Sequence, residues 1–252
     1  MIAIIIKKEI TALVKKKQLL VLVIAFAILG IMSPLLALFL PDILSSALPP
    51  ELIGSIPDST SIDAWGQFYN NINQIGFLVI IIIFIGIVSS EVEKGTLIPL
   101  ITKGLNRKYV IIGKLITMLL VWTICFIISL GISYAYTSYY FNDSLSVYVI
   151  ESALYLYIFG IFLLSVVLFA STVGKSTISS LLVLFGIIVV GLISNMFTMI
   201  MKYNPFSLAS QNMNIINNQL NYLDVLPAVG ISLLLTISLI VISIRIFDKK
   251  TI

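Results

Sequence analysis

Histidine is missing from this chain, and cysteine occurs once, at Cys125. Zinc, haem and imidazole acid–base chemistry thereby lose their usual ligands, and an internal disulfide cannot form. Charge is scarce as well: Asp, Glu, Lys and Arg make up 10% of the 252 residues, against about 25% in a soluble domain. Apolar residues fill the space, at 60% of the chain. A water-soluble globule must expose too much surface to hide that many. The composition is that of an integral membrane protein, with no catalytic set, no metal-ligand cluster and no nucleic-acid partner expected.

Six charge-poor apolar runs lie at about 19–40, 73–91, 114–140, 151–173, 177–200 and 225–246. Each reaches the ~18–20 residues that cross a ~30 Å hydrocarbon core at ~1.5 Å per residue. Backbone polar groups in lipid must be satisfied internally, so continuous apolar runs imply helices rather than the alternating strands of a barrel. The expected fold is all-α and polytopic, one transmembrane domain over 1–252.

An even number of spans puts both termini on one side. Lys7, Lys8 and Lys15 to Lys17 precede the first span, and Lys94, Lys103, Arg107, Lys108 and Lys114 lie between the second and third. Lys175 separates the fourth from the fifth, and Arg245, Lys249 and Lys250 end the sixth. Only Lys202 falls on the other side, together with Asp42, Glu51, Asp58, Asp63, Asp143, Glu151 and Asp224. The positive-inside rule then makes both termini cytoplasmic in a plasma membrane, with Trp65, Phe68, Tyr69 and Tyr139 to Phe141 as an outer aromatic belt. Residues 1–18 read as an interfacial helix, its apolar stripe at Ile6, Ile10, Leu13 and Val14. Pro41, Pro49, Pro50 and Pro57 mark a broken outer loop from Pro41 to about Asn73, and Lys202 to Asp224 forms a second.

The inner stretch "EVEKGTLIPLITKGLNRKYVIIGKL", Glu91 to Leu115, stands out between two membrane-length runs. Gly95 permits a sharp turn. Thr96 suits an N-cap, Pro99 a first turn, Gly104 a stop, and Asn106 the cap of the next helix. A two-turn helix over Leu97 to Lys103 follows, 96–104 with its ends. Leu97, Ile98, Leu100 and Ile101 make it unusually apolar. Two readings fit these residues: a connector packed on its own bundle, or a knob for a cytoplasmic partner.

The same stretch resembles the segment after the second span in permease subunits of ABC-2 type transporters. The resemblance rests on Glu91 and Glu93, Gly95-Thr96-Leu97, Gly104, Arg107 and Gly113-Lys114-Leu115. It extends to the lysine-rich N-terminus, the six spans and "NPF" at Asn204 to Phe206. It implies a coupling helix seated in a groove of a separate ATPase, with Glu91, Glu93, Gly95, Thr96, Leu97, Leu100, Lys103, Gly104 and Arg107 as coupling residues. Glu91 and Glu93 would pair with nearby bases. Two ATPase copies would carry ATP and Mg, this chain would hold no cofactor, and a second permease subunit, identical or different, would complete the complex. Bacterial peptide and antimicrobial-peptide exporters look most similar in size.

"GKST" at Gly174 to Thr177 mimics the end of a P-loop, but the motif needs a glycine five residues before Gly174, and Phe169 stands there. A tight turn, with Lys175 as topology anchor, is the expectation. Glu151 and Asn195 are the weak candidates for a substrate path, and Gly131/Ala135 and Ala170/Gly174 are small pairs suited to close helix packing. The expected function is an exporter permease for an amphipathic peptide, antimicrobial, lipid-linked molecule or drug. The alternative is a secondary transporter or channel, which the lack of paired intramembrane charges disfavours. Membrane-impermeant thiol reagents should label cysteines introduced at Ser59 and Asn217 in intact cells, and at Thr102 only after permeabilisation. Labelling of Thr102 in intact cells would contradict the topology.

Overall fold

The computed structural model describes residues 2–47, 58–96, 106–143 and 145–250. Among them every regular element is helical, and six helices are long and apolar enough to cross a membrane. A short helix α1 (Ile2–Lys15) turns at Lys16 and Lys17, where Lys17 takes φ 57°, into α2 (Gln18–Ala47). Next come α3 (Ser61–Glu93), α4 (Arg107–Tyr140), α5 (Val149–Val173) and α6 (Thr177–Ser194). Three short helices follow, α7 (Thr198–Met201), α8 (Ser207–Ser210) and α9 (Asn212–Ile216), and then α10 (Leu226–Lys249). The spans alternate direction, so among the described residues one end of the bundle collects the basic residues apart from Lys202, and the other most of the acids. These are the basic end and the acidic end below.

Two helix bounds differ from expectation at the acidic end. The helix carrying the second span starts at Ser61 and runs 33 residues, ~50 Å at 1.5 Å per residue, well before Asn73. And α2 passes through both Pro34 and Pro41 instead of breaking at the second. Each proline deprives the carbonyl four residues earlier of its helical N–H. Those carbonyls belong to Gly30 and Ala37, and both are served by hydroxyls from elsewhere: Ser133 of α4 donates to Gly30 at 2.8 Å, and Ser59 donates to Ala37. A side-chain hydroxyl repairing a proline break is the solution lipid demands.

The start of α3 is held by a Thr60–Asp63 capping box and by Asp143. Its carboxylate accepts from the Ser61 N–H at 2.8 Å, from the Ser61 hydroxyl, and from the Leu145 N–H at 3.2 Å. Slight burial opposes ionisation of Asp143, but these hydrogen bonds outweigh it and hold the pKa below the usual aspartate value.

At the centre of the bundle Trp122 is fully buried among Phe26, Phe77, Phe126 and Tyr157. Its indole N–H donates to the Tyr157 carbonyl at 3.2 Å. Gly160 makes room for the ring: a Cβ there would lie 2.3 Å from it. Trp65, Phe68 and Tyr69, expected in an interfacial belt, are buried core residues, whereas Tyr139 and Tyr140 are exposed. The Gly131/Ala135 pair is no packing seam, since a Cβ on Gly131 meets nothing within 4 Å. Gly174 is crowded, but by Ser180 across a turn.

The "NPF" segment works as a plug. Asn204 donates to the Gly191 carbonyl at 2.8 Å and the Ser194 hydroxyl at 3.1 Å, stopping α6. Phe206 packs edge-on against Phe159 and Phe162, over Gly191, where a Cβ would sit 2.0 Å from the ring. The expected loop from Lys202 thus contains the short helices α8 and α9 between turns and is pinned to α5, where Asn212 donates to the Ser152 carbonyl at 2.8 Å.

Ser133→Ala should lower stability by about 1–2 kcal/mol, because it orphans the buried Gly30 carbonyl. Ser129, one turn away, has a buried hydroxyl without a partner, so Ser129→Ala should be neutral or stabilising. Thermal unfolding in one detergent compares the two.

Candidate functional site

Glycine sets the site's geometry at the basic end. Ile5 of α1 lies against Gly113 of α4, so closely that a Cβ would come within 2.7 Å of the Ile5 side chain. The buried stripe of α1 is Ile5, Glu9 and Leu13; of the expected Ile6, Ile10, Leu13 and Val14 only Leu13 is buried, and Val14 is exposed. This register turns Glu9 inward, onto the residue that follows Gly113. That residue is Lys114, and it is fully buried.

Lys114 Nζ donates to Glu9 Oε1 at 2.9 Å. It also sits 2.7 Å from Glu91 Oε2, an ion pair by distance whose angle falls outside that of a hydrogen bond. Lys8 completes the ring, 2.7 Å from Glu91 Oε1 and 3.3 Å from Glu9 Oε1. Two carboxylates and two ammonium groups, from α1, α3 and α4, form one neutral quartet. Burial disfavours the charge on Lys8, but Glu91 and then Glu9 outweigh it and raise its pKa above the ordinary lysine value. A raised lysine pKa gives stability that is complete below the unfolded-state value and lost only as pH climbs through the folded one. The Lys8 contacts are therefore insensitive to pH near neutrality.

Glu91 is presented by two backbone devices. Below it, α3 ends in a Schellman turn: Gly95 takes φ 66°, its N–H donates to Val92, and the Thr96 N–H donates to Glu91, at 3.1 and 3.0 Å. Thr96 thus closes α3. Above it, α3 loses regular helix at residues 85–88. The freed N–H groups of Val88 and Ser89 donate to the buried Ser171 hydroxyl of α5 at 3.0 and 3.1 Å. A hydroxyl inserted into the ladder is a recognised cause of a kink.

The remaining expected coupling residues separate into groups. Glu93 is exposed, and the ion pairs found among the described residues do not include it, so the expected pairing holds for Glu91 only. Leu97, Leu100, Lys103 and Gly104, with the helix they were expected to form, lie outside the described residues. Asn106 caps α4 as expected, accepting from the Lys108 N–H at 3.2 Å. Arg107 turns to the end of α10, donating to the carbonyls of Phe247, Asp248 and Lys250 at 3.1, 3.0 and 2.6 Å. Lys250 in turn donates to Thr172 and Gly174 at the end of α5, at 2.7 and 2.8 Å. Cations on helix C-termini satisfy orphan carbonyls and oppose the dipole.

The "GKST" turn is built as a cap. The N–H groups of Lys175 and Ser176, which would have to face a phosphate, both donate to the Ser179 hydroxyl at 2.9 Å. Asn195 ends α6 and lines an apolar groove of about 510 Å3 between α3, α5 and α6. Asn73, Gln74 and Ser210 join it at the groove's polar end, where a five-residue π turn, Ile72–Gly76, interrupts α3. Glu151 lines a separate cavity at the acidic end.

Glu9, Lys8, Ser171 and Lys250 were not singled out from sequence. The available signal was Glu9 itself, the one acid among the N-terminal lysines, spaced four residues from Ile5 and from Leu13.

The profile of one protein family, described as ABC-2 family transporter protein, matches residues 3–251. No curated protein and no solved structure matches the chain.

Glu91→Gln and Lys114→Met should each destabilise the protein, Lys114→Met by about 3–5 kcal/mol since it strands buried carboxylates. The double variant should lose less than the sum of the two, by about 1–3 kcal/mol. A double-mutant cycle on unfolding midpoints reads the coupling, and additive losses would show that the quartet is not one unit.

Proposed function

The chain belongs to the ABC-2 transporter family, and from that premise we propose that it is the permease subunit of an ATP-driven exporter. Membership makes it a multi-pass membrane component of a transporter that associates with an ABC ATPase. The further reading is that the basic end faces the cytoplasm of a bacterial cell, that 97–104 docks on the ATPase, and that two ATPase copies and a second permease subunit complete the assembly. ATP and Mg2+ belong to the ATPase in this reading, and this chain has no catalytic role.

One observation carries the proposal. The described residues on either side of 97–105 share one ion quartet, through Glu91 on α3 before it and Lys114 on α4 after it. Displacement of that stretch acts on both helices together, and on α1 through Glu9 and Lys8. A buried lysine offset by two carboxylates adds little net stability, so its use here is to hold the three helices in one register. The kink at 85–88 supplies the place where α3 can swing, with Ser171 as its pivot.

The groove between α3, α5 and α6 supports an amphipathic substrate: its walls are Phe77, Leu78, Ile82, Leu163 and Leu192, and its polar groups gather at the end near Asn195. Peptides, lipid-linked molecules and apolar drugs share that pattern.

With the cognate ATPase co-expressed, Leu100→Asp should abolish pull-down of the complex, because an unpaired carboxylate in an apolar contact costs several kcal/mol. Glu91→Gln should assemble normally, yet lose the stimulation of ATP hydrolysis by substrate. Normal assembly and transport with Leu100→Asp would reduce 97–104 to a connector.

A further inference from the structure

We infer that the acidic-end cavity between α3, α4 and α5 binds the ammonium or guanidinium group of an organic cation. The cavity holds about 580 Å3, enough for a cationic side chain with its stem, and Asp143 and Glu151 both line it. Among the described residues no lysine or arginine does. The sequence puts a single base, Lys202, among the acidic-end segments, and Lys202 lines a different cavity with Asp224. All the ion pairs among the described residues belong to the quartet at the opposite end. The two carboxylates of this cavity therefore have no cationic partner among the described residues.

The two acids have different jobs. Asp143 spends both oxygens on Ser61 and Leu145, fixing the start of α3 to the loop before α5. Glu151, half-buried in the first turn of α5, has no such partners among the described residues and is the group left to meet a ligand. Tyr134 and Tyr148 line the cavity beside it, 57% and 41% exposed, and their ring faces attract cations. Trp65 and Phe141 close the apolar side. Aromatic walls with one ungrouped carboxylate suit an organic cation; a hard divalent ion takes six or more oxygens. A helix N-terminal glutamate also complements the helix dipole, so the experiment has to separate ligand binding from helix support.

The inference deepens the transporter reading by giving its substrate class a positive group, but the binding site stands or falls without an ATPase. The test uses the full chain in lipid nanodiscs and the fluorescent primary amine dansylcadaverine, followed by anisotropy. Its N-acetylated analogue, which keeps the dansyl group and alkyl stem but carries no charge, is the control. The amine should bind saturably and at least tenfold tighter than the analogue. Glu151→Gln should weaken it tenfold or more, Tyr134→Leu several-fold, and Tyr134→Phe little; Asp224→Asn at the other cavity should leave it unchanged. If Glu151→Gln fails to insert, the two Tyr134 variants and the acetylated analogue still decide. Equal affinity for amine and analogue, or undiminished binding to folded Glu151→Gln, would overturn the site. Either result leaves the pull-down test of the permease reading untouched.

Discussion

A lysine with no exposure to solvent organises the basic end of this protein. Burying the Lys114 ammonium has to be offset by its partners, Glu9 and Glu91, because the desolvation of an isolated ammonium costs more than any single exposed pair returns. That requirement joins three helices that are far apart in sequence. It fixes the tilt of α1 against Gly113, the end of α3 at its Schellman turn, and the first turns of α4. Lys8, whose pKa Glu91 and Glu9 raise, balances the second carboxylate.

The same logic runs through the backbone. In lipid, every N–H or carbonyl that leaves its helical ladder must find another partner. Pro34 and Pro41 release two carbonyls, and Ser133 and Ser59 take them. The kink in α3 releases two N–H groups, and Ser171 takes both. Arg107 and Lys250 close the ends of α10 and α5. Short hydroxyls hold breaks within the bundle, and long cations hold helix ends at its border. The kink of α3 is the only one of these breaks that stands directly between the apolar groove, at Asn73 to Ile82, and the charged segment at Glu91. In the proposed mechanism, motion at one would reach the other along a single helix, with Ser171 as fulcrum.

The spans and the segregation of charge were legible because they depend on local composition: lipid excludes charge wherever a helix crosses it. The ABC-2 resemblance was legible for a similar reason, since Gly95, Gly113 and Lys114 stand close together in the chain. What escaped were the pairings across distance. Glu9 and Lys114 are 105 residues apart, and each alone reads as a flank charge. Pro41 reads as a break unless Ser59 is known to lie over Ala37. Trp65 and Phe68 read as interfacial because the polar residues around them hide that α2, α4 and the α9 segment pack over that turn of α3. Arg107 belongs to the motif, yet its partners come from the opposite terminus.

The central claim is that α1, the end of α3 and the start of α4 move as one body when the ATPase drives them. Spin labels at Thr11 and Glu93 report the distance within that body, and labels at Glu93 and Lys175 report its distance from the α5–α6 turn. Double electron–electron resonance on the reconstituted complex, with labelled permease diluted by unlabelled, should give one unchanged Thr11–Glu93 distance with and without ATP, while the Glu93–Lys175 distance shifts. A Thr11–Glu93 distance that broadens or moves with ATP, against a fixed Glu93–Lys175 distance, would contradict the account.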